Sequence, residues 1–240
     1  MIVNLEERSS DSPFVESIYW ARSVGGGSFT SIAASQWEMV ITKQKEKVTL
    51  SLRGPETKAS SASIPEDAEF LGITFKHSIF MPSLSINKIV DNEIHIPKTG
   101  EDSFQLFGDT WEFPNCENVE VFINRLIRKD MLAHDKIVDD VLCGKKQDMS
   151  LRSIQRRFLH VTGLTYKTIK QIERAREALS LLQKGTPILD TTYQLGYFDQ
   201  SHFAHSLRLY TGKTPTQVLQ ANSQNNVVFL QDEIHSQSYD

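Results

Sequence analysis

Arg152, Gln155, Arg156 and Arg157 fall within one and a half helical turns at the start of the run Met149–Gly163, MSLRSIQRRFLHVTG. Arginine and glutamine grip a base edge with two hydrogen bonds at once, arginine on guanine and glutamine on adenine. A second run, Ile188–Pro215 (ILDTTYQLGYFDQSHFAHSLRLYTGKTP), sets Gln200, Ser201, Ala204, His205 and Arg208 apart from an apolar line of Phe203, Leu207 and Tyr210. Small and polar groups at the N-terminal end of a helix suit the same task, reading base edges in a major groove. No catalytic constellation competes with this chemistry. The chain has no G-x-S-x-G elbow and no standout carboxylate pair, and Gly25–Gly27 lacks the Lys-Ser/Thr and following helix of a phosphate loop, so it reads as a β-turn. His77 and His95 are expected on strands, isolated from other ligands, as structural histidines. The expectation is a protein that is not an enzyme and uses neither metal nor cofactor.

Each run reads as a helix, a tight turn and a second helix. In the later one, Ile188, Thr191 and Leu195 recur at helical spacing, and Gly196 breaks the helix where a turn needs positive φ. Asp199 is placed to cap the next helix, and Pro215 pre-sets the first turn of a short last helix capped by Thr214. In the earlier run Ile154, Phe158, Val161 and Leu164 form the apolar side. Tyr166–Lys184 reads as a connecting helix with a core stripe of Ile169, Ile172, Ala175, Leu179 and Leu182, ended by Gly185 and Pro187. Its nineteen residues span roughly 28 Å of α-helix, under the about 34 Å between successive major grooves. Both heads would reach adjacent grooves only if the DNA bends or one head stays partly disengaged.

Charge is distributed accordingly. Met149–Pro215 holds ten Lys/Arg against four Asp/Glu, a net +6 inside a chain of net −4. A basic segment in an acidic protein marks a local polyanion site.

GYFDQSHF, followed nine residues later by Gly-Lys-Thr-Pro and preceded by an amphipathic helix and another such unit, resembles the DNA-binding domain of the AraC/XylS family of bacterial transcription regulators. The resemblance covers about residues 130–219. It implies that Arg152, Gln155 and Arg156 of the first recognition helix, and Gln200, Ser201 and His205 of the second, contact bases. Arg157, Lys167, Arg208 and Lys213 are then the expected DNA-backbone contacts, with packing by its stem as the alternative for Arg157. The sequence departs from the family pattern in two places. The helix expected at His134–Leu142 is followed by Cys-Gly-Lys-Lys-Gln-Asp rather than a short turn, which puts the support of the first head in question. Positions 205, 207 and 209 are His, Leu and Leu, where the family commonly has Arg, Phe and a basic residue, so the second head is less basic.

The first 115 residues differ in kind. Trp37, Met39 and Ile41, then Val48, Leu50 and Leu52, then Leu71, Ile73 and Phe75 alternate with period two. Turn clusters at Gly25–Gly27, Arg53-Gly54-Pro55 and Ser60-Ser61 separate them, which indicates an antiparallel β barrel or sandwich. Ser12-Pro13, Tyr19-Trp20, the glycine triplet, Gly54-Pro55-Glu56-Thr57 and FLGITF at Phe70–Phe75 resemble the N-terminal domain of one branch of the same family. This second resemblance implies a cupin-like sensory or dimerising domain. Asn118–Lys129 is an expected helix with Val119, Phe122, Ile123, Leu126 and Ile127 on one face, packing on its own domain rather than dimerising.

The fold class expected is α+β, with a β-rich domain over 1–115, a connecting helix over 116–132, a DNA-binding domain with two helix-turn-helix units over 133–221, and a polar tail over 222–240. Within that tail, Val227–Leu230 is expected to tuck into a groove. No hydrophobic run approaches the length of a membrane span, Met1–Asp11 does not read as a signal peptide, and Cys116 and Cys143 read as unpaired thiols. The protein is therefore expected in the cytoplasm, with promoter duplex DNA as partner, and with a small-molecule effector, RNA polymerase and a second copy of the chain as further partners. Trp20, Trp37 and Trp111 are candidates either for an effector pocket or for the β core. Two alternative readings stand beside this one: a constitutive regulator whose β domain only dimerises, and a cupin-type enzyme carrying a helical DNA-binding module.

Overall fold

The alternating N-terminal runs become strands in the computed structural model, which describes residues 2–223. Val227–Leu230 and the polar tail beyond Ser223 lie outside the described residues. The strands are β1 (Ile2–Arg8), β2 (Val15–Ser23), β3 (Gly27–Ser31), β4 (Glu38–Gln44), β5 (Lys47–Arg53), β6 (Ser60–Ile64), β7 (Ala68–Phe75), β8 (Ile79–Phe80), β9 (Glu93–Ile96), β10 (Ser103–Leu106), β11 (Asp109–Glu112) and β12 (Ala133–His134). Six of them form an antiparallel sheet in the order β1-β2-β7-β4-β5-β9. The sheet is open, with β1 and β9 at its edges, and three two-stranded ribbons accompany it.

Register explains the core. Met39 lies opposite Leu52 and Ile73, and Ile41 opposite Leu50 and Leu71, so the period-two pattern puts all six on one face. Helix α1 (Val119–Arg128) closes that face through Val119, Phe122, Ile123 and Leu126, all in the same core cluster as the sheet residues. The helix thus packs on its own sheet. Trp37 stacks on Phe75 at 4.1 Å and donates from its indole nitrogen to the Ile79 carbonyl at 2.7 Å. Trp111 is buried under the Arg125 guanidinium, 4.7 Å from the ring centroid, and Trp20 is half-buried. Trp37 and Trp111 are therefore core residues.

The other face of the sheet carries a polar row that runs from the buried Tyr19 to the exposed Glu93. The Tyr19 hydroxyl donates to Glu38 at 3.1 Å, and Arg53 lies 3.6 Å from Glu38 and 3.0 Å from Glu93. Burial raises the Glu38 carboxyl above its ordinary range, against the pull of Arg53. Gly72 leaves room for the Tyr19 ring, which a Cβ would approach to 2.0 Å. His95 sits on β9 with its Nδ1 2.8 Å from the Ser51 hydroxyl. His77 falls in the turn between β7 and β8 rather than on a strand.

The remaining helices are α2 (Lys136–Leu142), α3 (Leu151–Thr162), α4 (Tyr166–Gln183), α5 (Ile188–Gln194), α6 (Gln200–Thr211) and α7 (Pro215–Ser223). Two compact units emerge. One comprises the chain up to Ser28, Gln36–Pro55 and Ser63–Thr165, and so includes α1 to α3 with the large sheet. The other comprises Phe29–Ser35, Glu56–Ala62 and the described residues from Tyr166 onward. Two short segments from the β-rich part of the sequence thereby belong with α4 to α7. Ile32 explains why: it is buried in one cluster with Leu179, Leu182, Tyr197, Phe203, Leu207 and Val218.

Candidate nucleic-acid interface

The first candidate reading head is a helix whose ends are both specified locally. Ser150 caps α3, accepting the Ser153 N–H at 3.2 Å, and Gly163 ends it at φ +73°. A Cβ at Gly163 would meet Val90 Cγ2 at 2.8 Å as well as adopting the left-handed conformation, so glycine is required twice over. Phe158 and Val161 are fully buried, as the apolar spacing predicts. The same helix leaves Arg152, Gln155 and Arg156 exposed. On its inner side α3 packs on a short 3-10 turn at Ile86–Lys88 and on β8, with His160 edge-on to Phe80 at 5.4 Å.

Arg157 differs from its neighbours. Its guanidinium donates at 2.5 Å to Asp135, a residue only 7 % exposed. The other oxygen of the same carboxylate caps α2 by accepting the N–H groups of Ile137 at 3.0 Å and Val138 at 3.1 Å. One carboxylate therefore starts α2 and holds α3. Asp135 escaped the sequence reading, although its position before an apolar helical run is a cap signal.

The long connection after α2 is tied down rather than loose. Asp140 receives Lys136 and Lys145 at 2.8 Å each, and the Lys145 N–H donates to the Asp140 carbonyl at 2.8 Å. Hydrogen bonds from the two ammonium groups hold the Asp140 carboxyl down at about 2.

The second head repeats the design. Asp199 caps α6 by accepting the His202 N–H at 2.7 Å, and Gly212 ends it at φ +74°. Phe203, Leu207 and Tyr210 are buried, whereas Gln200, Ser201, His205 and Arg208 are exposed. Thr214 caps α7 as expected, accepting the Gln217 N–H at 3.4 Å. Lys213 is half-buried, and Lys167 is exposed in the first turn of α4.

Segments far away in sequence complete this head. The Ala33 N–H donates to the Tyr210 carbonyl at 2.7 Å, and the Ala59 N–H to the Leu209 carbonyl at 2.9 Å. Arg176 donates to the Ala33 carbonyl at 2.9 Å. Carbonyls in the last turn of a helix have no partner within it, so Phe29–Ser35 and Glu56–Ala62 satisfy groups that α6 cannot. The Arg174 guanidinium covers the Tyr197 ring at 4.2 Å. Burial and the nearby Tyr197 raise the Tyr210 phenol, with Arg174 opposing them.

Two capped helices, each with a polar outer face and an apolar inner one and each preceded by a shorter helix, define a tandem helix-turn-helix protein. The family model described as a helix-turn-helix domain matches residues 144–221. This segment is an AraC-type helix-turn-helix domain, and it follows an antiparallel β-rich region. Among solved structures, ToxT from Vibrio cholerae is similar at 12% identity, with a TM-score of 0.40 and coverage of 90% of this chain and 98% of that one. ToxT bound to (E)-4-(8-methylnaphthalen-1-yl)but-3-enoic acid gives 12%, 0.40, 91% and 99%, and unsaturated fatty acid-bound ToxT gives 12%, 0.39, 88% and 96%. A likeness at that level assigns neither ligand nor partner to this chain. No curated protein matches the sequence. No helix among the described residues is long and apolar enough to cross a membrane, and no group of three His, Cys, Asp or Glu among them could hold a metal ion.

Proposed function

We propose that the protein is a sequence-specific DNA-binding transcription regulator that acts without catalysis. The observation that carries this reading is the exposure of all six candidate base-reading side chains on two independently capped helices of an AraC-type domain. Arg152, Gln155 and Arg156 read bases from α3, and Gln200, Ser201 and His205 read them from α6. Lys167, Arg208 and Lys213 contact the DNA backbone. Residues 133–221 supply the reading machinery and residues 1–115 the sensory or dimerising function, with a small-molecule effector bound in the β-rich part. Promoter duplex DNA is the principal partner, in the cytoplasm, with RNA polymerase and a second copy of the chain completing the assembly.

Arg156→Ala tests the reading on a site selected from random duplexes by the full chain. Loss of one bidentate guanine contact should cost about 1–3 kcal/mol on that site and relax selection at one base pair. Lys213→Ala should weaken selected and random DNA alike. Equal losses on both DNAs for Arg156→Ala would remove it from the base-reading set. A thermal-shift screen of metabolites, with hits retested for altered DNA affinity, tests the effector: an effector must change both.

A further inference from the structure

The two most exposed large hydrophobic side chains among the described residues stand at equivalent ends of the two recognition helices. Leu151, the first residue of α3, is 78% exposed, and Phe198, immediately before the cap of α6, is 91% exposed. Neither serves the fold. A hydrophobic residue just before an N-cap ordinarily packs against the fourth residue of the helix. For Phe198 that partner would be Phe203, which is fully buried and leaves the Phe198 ring in solvent. Gly196, at φ +65°, and the Asp199 cap fix the backbone on either side, so the ring is held out at a defined place.

Charge narrows what such a ring would meet. Ile188–Pro215 contains Arg208 and Lys213 against Asp190 and Asp199, a net of zero. Met149–Gly163, by contrast, carries three arginines and no acid, so the second head gains less from phosphates than the first and depends more on its base contacts, where an apolar contact adds to the hydrogen bonds of Gln200, Ser201 and His205. In a major groove the apolar group on offer is the 5-methyl of thymine, which phenylalanine and similar side chains contact. Leu151 stands beside Arg152, at the same end of α3 as the candidate guanine and adenine readers.

We propose that Phe198 and Leu151 are specificity residues for thymine, each covering a 5-methyl group at the base-reading end of its helix. The target sites then carry thymines beside the bases read by Gln200 and by Arg152. This proposal rests on the DNA-reading function above.

The full chain first selects its site from random duplexes. Each thymine of that site is then replaced in turn by deoxyuridine, which removes the methyl and keeps every hydrogen-bonding group. For the wild-type chain, replacement at one thymine per head should weaken binding roughly three- to four-fold, the effect of losing one buried methyl. Phe198→Ala and Leu151→Ala should lose a similar factor on the unmodified site and become insensitive to uracil at one position each. Phe198→Leu, which keeps an apolar contact, should retain sensitivity. Because both side chains are exposed, unchanged circular dichroism and melting should accompany these variants. If no sequence is enriched, the DNA-reading function itself fails. If a site is enriched but uracil is tolerated everywhere, the methyl assignment fails alone. Wild-type affinity of Phe198→Ala for the unmodified site would also overturn it and hand the exposed ring to a protein partner.

Discussion

Arg157→Ala separates holding a helix from holding DNA. Asp135 is 7 % exposed, and its carboxylate accepts three hydrogen bonds, two from α2 backbone N–H groups and one from Arg157. Stranding a fully buried partner costs about 3–5 kcal/mol, but the Arg157 side chain is 39% exposed, so water can reach the pair. Screening brings the expected loss down to about 1–3 kcal/mol. Asp135→Asn keeps the cap and removes the charge. In that background Arg157→Ala should cost less than about 0.5 kcal/mol, which leaves a coupling of about 0.5–3 kcal/mol in a double-mutant cycle. Urea unfolding followed by circular dichroism measures all four variants. The salt dependence of DNA binding supplies the counter-test, because losing a phosphate contact lowers the slope by about one. Stability unchanged within about 0.5 kcal/mol, together with a slope reduced by one, would refute the positioning argument. Arg157 would then be the DNA-backbone contact that the family resemblance implies.

Ile32→Ala should destabilise α4 to α7 by about 2–5 kcal/mol, although residue 32 lies more than 130 residues before α4 in the chain, because its side chain is buried among Leu179, Phe203 and Leu207. Amide exchange over Gln200–Thr211 should quicken, and unchanged protection there would mean that the segment does not support the second head. Asp140→Asn should lower Tm at pH 7 by releasing Lys136 and Lys145. The wild-type carboxyl sits at about 2 against an ordinary 3.8, so its contribution is complete above pH 3.8 and fades as pH falls toward 2. The gap in Tm between the two proteins should close over that window, and a gap independent of pH would show that the lysine bonds do not stabilise the loop.

Local chemistry made much of this protein legible in its sequence. Caps and stops depend on one residue and its immediate neighbours, which is why Asp199, Thr214 and Gly196 marked their elements correctly. Period-two and helical spacing likewise put Met39, Ile41, Phe158 and Phe203 in the interior and left Arg152, Gln155 and Gln200 outside. Whatever depends on partners distant in the chain had no such signal. Arg157 looks like any basic residue at a helix start until the fold brings Asp135 to 2.5 Å. Lys145 reads as part of a loose connection until Asp140 takes both it and Lys136. Most of all, Ile32, Ala33 and Ala59 lie between strands of the β-rich region, and nothing local reveals that the last turn of α6 needs their hydrogen bonds and apolar surface. Periodicity tells a side chain which face to take. Only the tertiary structure supplies the surface that the face will meet.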